Sequence, residues 1–316
     1  MRVLIVVGIT LIYATCYVFI KAGLAFAPPL YFAGLRALLA GVALLALALT
    51  QRAPVLPSGV AWSELLALAL TATTLTFGAM FLSPGRTGAG IASLLGNTQA
   101  LFTLALAVMF LGEQLTRGKL AGLFLGFAGV ILVAYPALTA ADAYGLSGAL
   151  LALAASGGAA AGNVLFKRMG TRANVLTITA WQLIVGSLPL LALSVVIERG
   201  AHITWNGEFV FLLLFLAMVG TALAAAAWYT LVQRDDVGGL TLFFFLVPVF
   251  GLTIAAVIFS EPISWLQSLG AALTVAAMVP TVWEMRHRPA HTTPNGASAT
   301  APNCLRDRRS FCQDKN

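Results

Sequence analysis

About ten apolar runs, each near the twenty residues a helix needs to cross a hydrocarbon layer, follow one another along this chain. They fall at 3–21, 30–50, 61–82, 88–111, 118–136, 146–166, 175–197, 208–232, 239–259 and 265–284. The joints between them, such as QRAPVLPSG, SPGRTG, GEQLTRG and QRDDVGG, are short and leave no room for a domain outside the membrane. Without water, each spanning segment must satisfy its own backbone, which allows only helices or a closed barrel. The runs are continuous rather than alternating, which excludes the barrel. The expected fold is an all-α integral membrane protein with about ten transmembrane helices. Composition agrees: 60% of the 316 residues are hydrophobic and 9% charged, against about 25% charged in soluble domains.

The net charge of +7 has its explanation in topology. If the N-terminus is cytoplasmic, Arg2, Arg52, Arg117, Lys119, Lys167, Arg168, Arg172, Arg234, Arg286 and Arg288 all fall on the inner side, and only Lys21, Arg86 and Arg199 on the outer. Retained positive charge marks cytoplasmic loops, so the expected localisation is the cell (inner or plasma) membrane, multi-pass, with both termini inside. No basic patch interleaved with aromatics points to nucleic acid. The start, MRVLIVVGITLIYATCY, begins like a signal peptide but stays apolar to about Ile20, long enough to span; it is expected to remain as the first helix. Cys16, Cys304 and Cys312 show no metal-ligand spacing and no disulfide framework, and no cofactor or metal is expected. The polar stretch 287–316, rich in Pro, Ala, Thr and Asn, is expected to be a disordered cytoplasmic tail.

Two joints echo each other. Glu113 and Glu261 each end an apolar run, and each is followed three residues later by Thr116 or Ser264. At that offset, 148 residues (261 minus 113), Phe102 meets Phe250, Leu104 meets Leu252 and Gly122 meets Gly270. An offset of 146 aligns YVFIKAG at 17–23 with NVLFKRM at 163–169, Lys21 with Lys167, and Arg36 with Gln182. The chain therefore reads as a duplication: a first five-helix repeat over 1–141 and a second over 142–286. Five is odd, so the second repeat enters the membrane from the opposite side. Inverted repeats of this kind characterise secondary transporters, with the site near midplane between the halves.

These features resemble the drug/metabolite transporter superfamily, EamA branch, over about residues 3–284. The resemblance rests on the two five-helix repeats, a Lys at the end of the first helix, Arg36 in the second, and a Gly/Glu joint leading into a Gly-rich helix, GEQLTRGKLAGLFLGFAGV. It departs at two places: SEP stands at 260–262 where Gly-Glu is usual, and Ala100 holds the place that Pro248 holds in the second half. The fourth helix thus has no proline to bend it. The resemblance implies transport of small metabolites, often export of amino acids or related compounds.

Few polar residues lie inside the runs. Arg36, several residues into the second, is costly in lipid unless it faces the bundle or water, and is expected either to meet a substrate carboxylate or to bond backbone carbonyls. Asn97 and Gln99 in the fourth run, Asn163 in the sixth, and Trp181 and Gln182 in the seventh are candidates to line a substrate path. Tyr17, on one helix face with Tyr13, is a candidate to cap it. Trp228 and Tyr229, near the end of the eighth run, read as interfacial aromatics, and Lys21 and Lys167 as interfacial anchors. Pro248 is a candidate hinge, since it removes a backbone donor. Glu113 and Glu261 are expected to sit at the positive N-terminus of the helix that follows each, with Thr116 and Ser264 as its caps.

Mechanism is bounded by what the runs lack. Glu64, Glu113, Glu208, Glu261 and Glu284 lie near run ends, so no proton-relay acid stands deep in the membrane. There is no phosphate-binding Gly-rich motif for ATP. Uniport, exchange or substrate-driven efflux fits best, and proton coupling through a carboxylate at a run end stays open as the alternative. An intramembrane enzyme and a non-transporting structural membrane protein remain as alternatives. The first is disfavoured because His202, His287 and His291 lie in a loop and the tail with no nucleophile beside them. The expected partners are a small-molecule substrate and lipid, and a homodimer is left open.

Overall fold

The computed structural model describes residues 2–87, 89–139, 145–172, 174–200, 202–259 and 263–287. The expected junction near residue 142, Glu261 and the tail from 288 lie outside these. Among the described residues every regular element is a helix.

Ten spans follow in order: α1, Arg2–Gly23; α2, Pro29–Thr50; α3, Trp62–Leu82; α4, in the pieces Ala89–Gly96 and Gln99–Leu111; α5, Arg117–Thr139; α6, Leu146–Met169; α7, Val175–Ile197; α8, Gly207–Arg234; α9, running over 237–259; and α10, Trp265–His287. Among the described residues nine of these are long and apolar enough to cross a membrane, and α10 adds a shorter apolar stretch, Trp265–Pro280. Their ends carry local signals. Pro29 opens α2, where its missing N–H costs nothing. Asn174 and Asn206 cap α7 and α8 by accepting from the Thr177 and Phe209 N–H groups at 3.1 and 2.8 Å. Gly112, at φ +66°, ends α4 in the left-handed conformation that glycine adopts without strain.

Four spans are irregular, and they pair across the halves. π-helical turns interrupt α3 at Ala69–Leu75 and α8 at Met218–Leu223. The α4 helix breaks at residues 97–98, and α9 tightens to a 3-10 turn at Leu242–Phe245 just before Pro248. Pro248 lacks the N–H that would reach back to the Phe244 carbonyl, which accounts for the α9 irregularity. The α4 helix, which has no proline to bend it, nevertheless breaks close to the matching place.

Packing repeats the same exchange. The α2 helix lies along α7, and α5 along α10; α1 packs on α9 as α6 packs on α4; α3 packs on α7 as α8 packs on α2. For these pairs, exchanging each span with the one five places later gives a pair that also packs. Small residues set the closest approach. A Cβ placed on Gly270 would come 2.6 Å from the Gly129 carbonyl, so α5 and α10 touch backbone to backbone there.

Candidate functional site

The irregular turns of α3, α4, α8 and α9 surround a cavity of about 170 Å³ lined also by α1, α2, α6 and α7. That is well above the roughly 10–15 Å³ needed for one water. Each half contributes four spans to the wall. Arg36, Asn97, Gln99, Asn163 and Gln182 all line it, as does Tyr17 at its edge. Tyr17 is 41% exposed, and a Cβ on Gly96, at the α4 break, would lie 3.8 Å from its hydroxyl.

Arg36 is 3% exposed. Its Nε donates to the Thr221 hydroxyl at 2.7 Å and its Nη2 to the Gly220 carbonyl at 3.2 Å. Both acceptors lie in the π-helical turn of α8. The guanidinium also stands 5.3 Å from the centre of the Phe77 ring, at a distance where a cation is attracted by the ring. Nη1 is buried with no hydrogen-bond partner. Asn163 shows the same pattern. Its Oδ1 accepts from the Trp228 indole N–H at 2.9 Å, while its Nδ2 has no partner. Gln182 Nε2 donates to the Tyr229 hydroxyl at 3.2 Å. Buried donors without partners are costly in a membrane interior, so the cavity presents two groups prepared to donate to something it would hold.

Three readings of the sequence are corrected here. Trp181 does not line the cavity. It turns away on α7, donates from its indole N–H to the Val55 carbonyl at 2.7 Å and packs edge-on against Trp62. Trp228 and Tyr229 are not interfacial: they are 4% and 6% exposed and form the cavity wall, with Trp228 against Phe244 and Tyr229 stacked on Phe166 at 4.1 Å. Lys167 is no free anchor, because its ammonium donates to the Gln233 and Asp235 carbonyls at 3.1 and 2.8 Å, capping the C-terminal end of α8. Lys21, its sequence mate, is exposed. Cys16, Gly220 and Thr221 also belong to the wall and were missed; only their helical spacing from Tyr13 and Trp228 could have suggested them.

An ion cluster lies at the N-terminal end of α9. The Glu113 carboxylate accepts from the Val237 and Gly238 N–H groups at 2.7 and 3.1 Å, the first turn of α9. Lys119, 2% exposed, stands 3.2 Å from Glu113 and 3.3 Å from Asp236, and Arg2 pairs with Asp235 at 2.6 Å. Glu113 was expected at the N-terminus of the helix that follows it. The structure places it instead on α9, from the opposite half. The following helix is capped by Thr116, whose hydroxyl accepts from the Lys119 N–H at 3.2 Å. Ser264 caps α10 from the Gln267 N–H at 3.3 Å, and Gln267 returns a bond to the Ser264 N–H at 2.9 Å. At the other end of the bundle Glu198, unremarked in the sequence, holds the first amides of α2, Leu30 and Tyr31, at 2.7 and 3.1 Å.

Comparison with known proteins gives this arrangement a family. The profile of the EamA-like transporter family matches residues 1–135 and again 146–283. The chain is 32% identical over 289 residues to a probable amino-acid metabolite efflux pump of Salmonella typhimurium, covering 89% of this chain and 94% of that one. It is 31% identical over 258 residues to the uncharacterized transporter YvbV of Bacillus subtilis, covering 82% and 84%. A solved crystal structure superposes with a TM-score of 0.75 at 18% identity, covering 91% of this chain and 99% of that one, which shows a shared fold. With a transporter profile matching both halves, the enzyme alternative falls, and the chain belongs to the EamA-like transporter family.

Proposed function

We propose that this chain is a secondary carrier that exports small metabolites, amino acids or related compounds bearing a carboxylate, by alternating access. It would act in the cell membrane with both termini cytoplasmic, and its two repeats, 1–141 and 142–286, would rock about the cavity. The observation that carries the reading is the buried Arg36 guanidinium, which reaches from one half to Thr221 and Gly220 of the other and keeps Nη1 unpartnered. A carboxylate arriving there completes the hydrogen bonding that the protein leaves open. In the positive-inside orientation, the Glu113, Lys119 and Asp236 cluster would lie on the cytoplasmic side and serve as the gate that parts for access from inside. The names of the relatives, probable amino-acid metabolite efflux pumps in Salmonella typhimurium and Escherichia coli, support the same substrate class and direction.

The test is a comparison of metabolites in the medium of cells with and without overexpression. Accumulation of one or more amino-acid-like carboxylates outside the overexpressing cells is the expected result. An unchanged extracellular profile across amino acids and their derivatives contradicts the proposal.

A further inference from the structure

Arg36 is the one charged side chain among the described residues that line the cavity. Its neighbours carry no carboxylate: the Thr221 hydroxyl, the Gly220 carbonyl, the Cys16 thiol and the rings of Phe77 and Phe81 at 5.3 and 5.9 Å. No Asp or Glu is among the lining residues. An ion taken out of water without a counter-charge is left with a large uncompensated desolvation penalty. The missing negative charge is therefore the feature a bound solute has to supply, and the unpartnered Arg36 Nη1 and Asn163 Nδ2 are the donors that would hold it.

The balance of charge discriminates among solutes. A monoanion makes the filled cavity neutral. A zwitterion leaves it at one net positive charge, and brings an ammonium for which the wall has neutral oxygens and ring faces but no carboxylate. The rest of the solute meets Tyr13, Trp228, Tyr229 and Phe244, an aromatic enclosure suited to an apolar or aromatic body.

We infer that the cavity selects a monovalent organic anion, a carboxylate on an apolar body whose nitrogen carries no charge, and moves it as net negative charge, so that the membrane potential drives efflux without a co-transported proton. The inference rests on the reading of this cavity as the transport site. The loaded carrier crosses its conformational change with a neutral cavity, and the empty carrier returns with the Arg36 charge uncompensated. Over one cycle a single negative charge leaves the cell, and no described acid in the cavity is there to carry a proton with it. Moving one charge through 100 mV shifts the equilibrium concentration ratio about 50-fold.

The experiment uses the purified full chain in liposomes with a potassium gradient and valinomycin to set the potential. Three solutes share one body: N-acetylphenylalanine, an anion; phenylalanine, a zwitterion; and N-acetylphenylalaninamide, which is neutral. Flux of N-acetylphenylalanine at least ~10-fold above the other two is expected, with its steady-state distribution displaced toward ~50-fold exclusion from a compartment held 100 mV negative. Arg36→Lys should keep the preference for the anion, and Arg36→Gln should remove it. Phenylalanine moving as fast as its N-acetyl derivative overturns the inference while leaving a transporter in place, and so does anion flux whose distribution ignores the potential. Absence of flux for all three contradicts the transporter reading as well. If Arg36→Gln does not insert, the distribution measured on the unaltered chain still decides.

Discussion

Arg36 and Thr221 come from opposite halves of the chain and meet at 2.7 Å on the wall of the cavity. The bond depends on the π-helical turn of α8, which turns both the Thr221 hydroxyl and the Gly220 carbonyl toward the guanidinium. π-helical turns are rare and concentrate at functional sites. Thr221→Val preserves shape and removes the acceptor. It is expected to lower transport by about ten-fold, the worth of one hydrogen bond to a buried charge, with membrane insertion unchanged. Flux assays alongside quantification of the inserted protein check it; undiminished flux would mean that the position of Arg36 does not depend on Thr221.

Glu113 and Lys119 form a nearly buried pair, 7% and 2% exposed, that also holds the first amides of α9. Removing the Glu113 charge takes from Lys119 one of its two carboxylates, Asp236 staying at 3.3 Å, and weakens the hold on the α9 amides, so a cost of about 1–3 kcal/mol is expected. Glu113→Gln should therefore lower the thermal unfolding midpoint in detergent, and the double variant Glu113→Gln with Lys119→Met should recover much of the loss. If the double variant is no better than the single one, the pair is not the source of the effect.

Gly129 and Gly270 set the contact of α5 with α10, and a Cβ on Gly129 would come 2.7 Å from the Gly270 carbonyl. Gly129→Val is expected to reduce the yield of monodisperse protein sharply. Gly157→Ala, where nothing lies within 4 Å, should be neutral or stabilising by up to about 1 kcal/mol, as expected for removing glycine from a helix interior. Size-exclusion profiles of both variants provide the comparison.

Trp181 and Gln182 are neighbours in sequence with opposite surroundings: one packs outward on Trp62, the other bonds Tyr229 inside the cavity. Trp181→Phe should leave transport within about two-fold, since it retains the ring packing and loses one exposed hydrogen bond. Gln182→Leu should reduce transport clearly. Equal effects from the two would place the substrate path elsewhere.

That pair also marks how far the sequence could be read. The number of spans and most of their limits follow from hydropathy, because lipid demands a long apolar run wherever it is crossed; the seventh span, expected at 175–197, is Val175–Ile197. Which face of a span looks inward is a different matter. In a helix that is apolar all round, lipid and protein interior make the same demand, so nothing in the pattern showed Trp181 to face outward or Trp228 to be enclosed. Arg36, Asn97, Gln99, Asn163 and Gln182 were legible as polar groups that lipid would not tolerate, and the structure brings them to one cavity. Glu113 was legible as a helix-capping acid, but the helix it caps begins at Val237, far along the chain and reached only through the fold. The π-helical turns carry no residue signature at all.

The central claim is that solute crosses at Arg36. Its most direct measurement is counterflow in proteoliposomes of the solute identified from the extracellular profile, with the unaltered chain and Arg36→Gln compared at equal inserted amounts. Gln182 already occupies the corresponding place in the other half, so glutamine there is compatible with the fold. Flux by the unaltered chain, falling about ten-fold or more in Arg36→Gln, is the result predicted from the loss of a charged hydrogen bond. Flux by Arg36→Gln equal to that of the unaltered chain would contradict it.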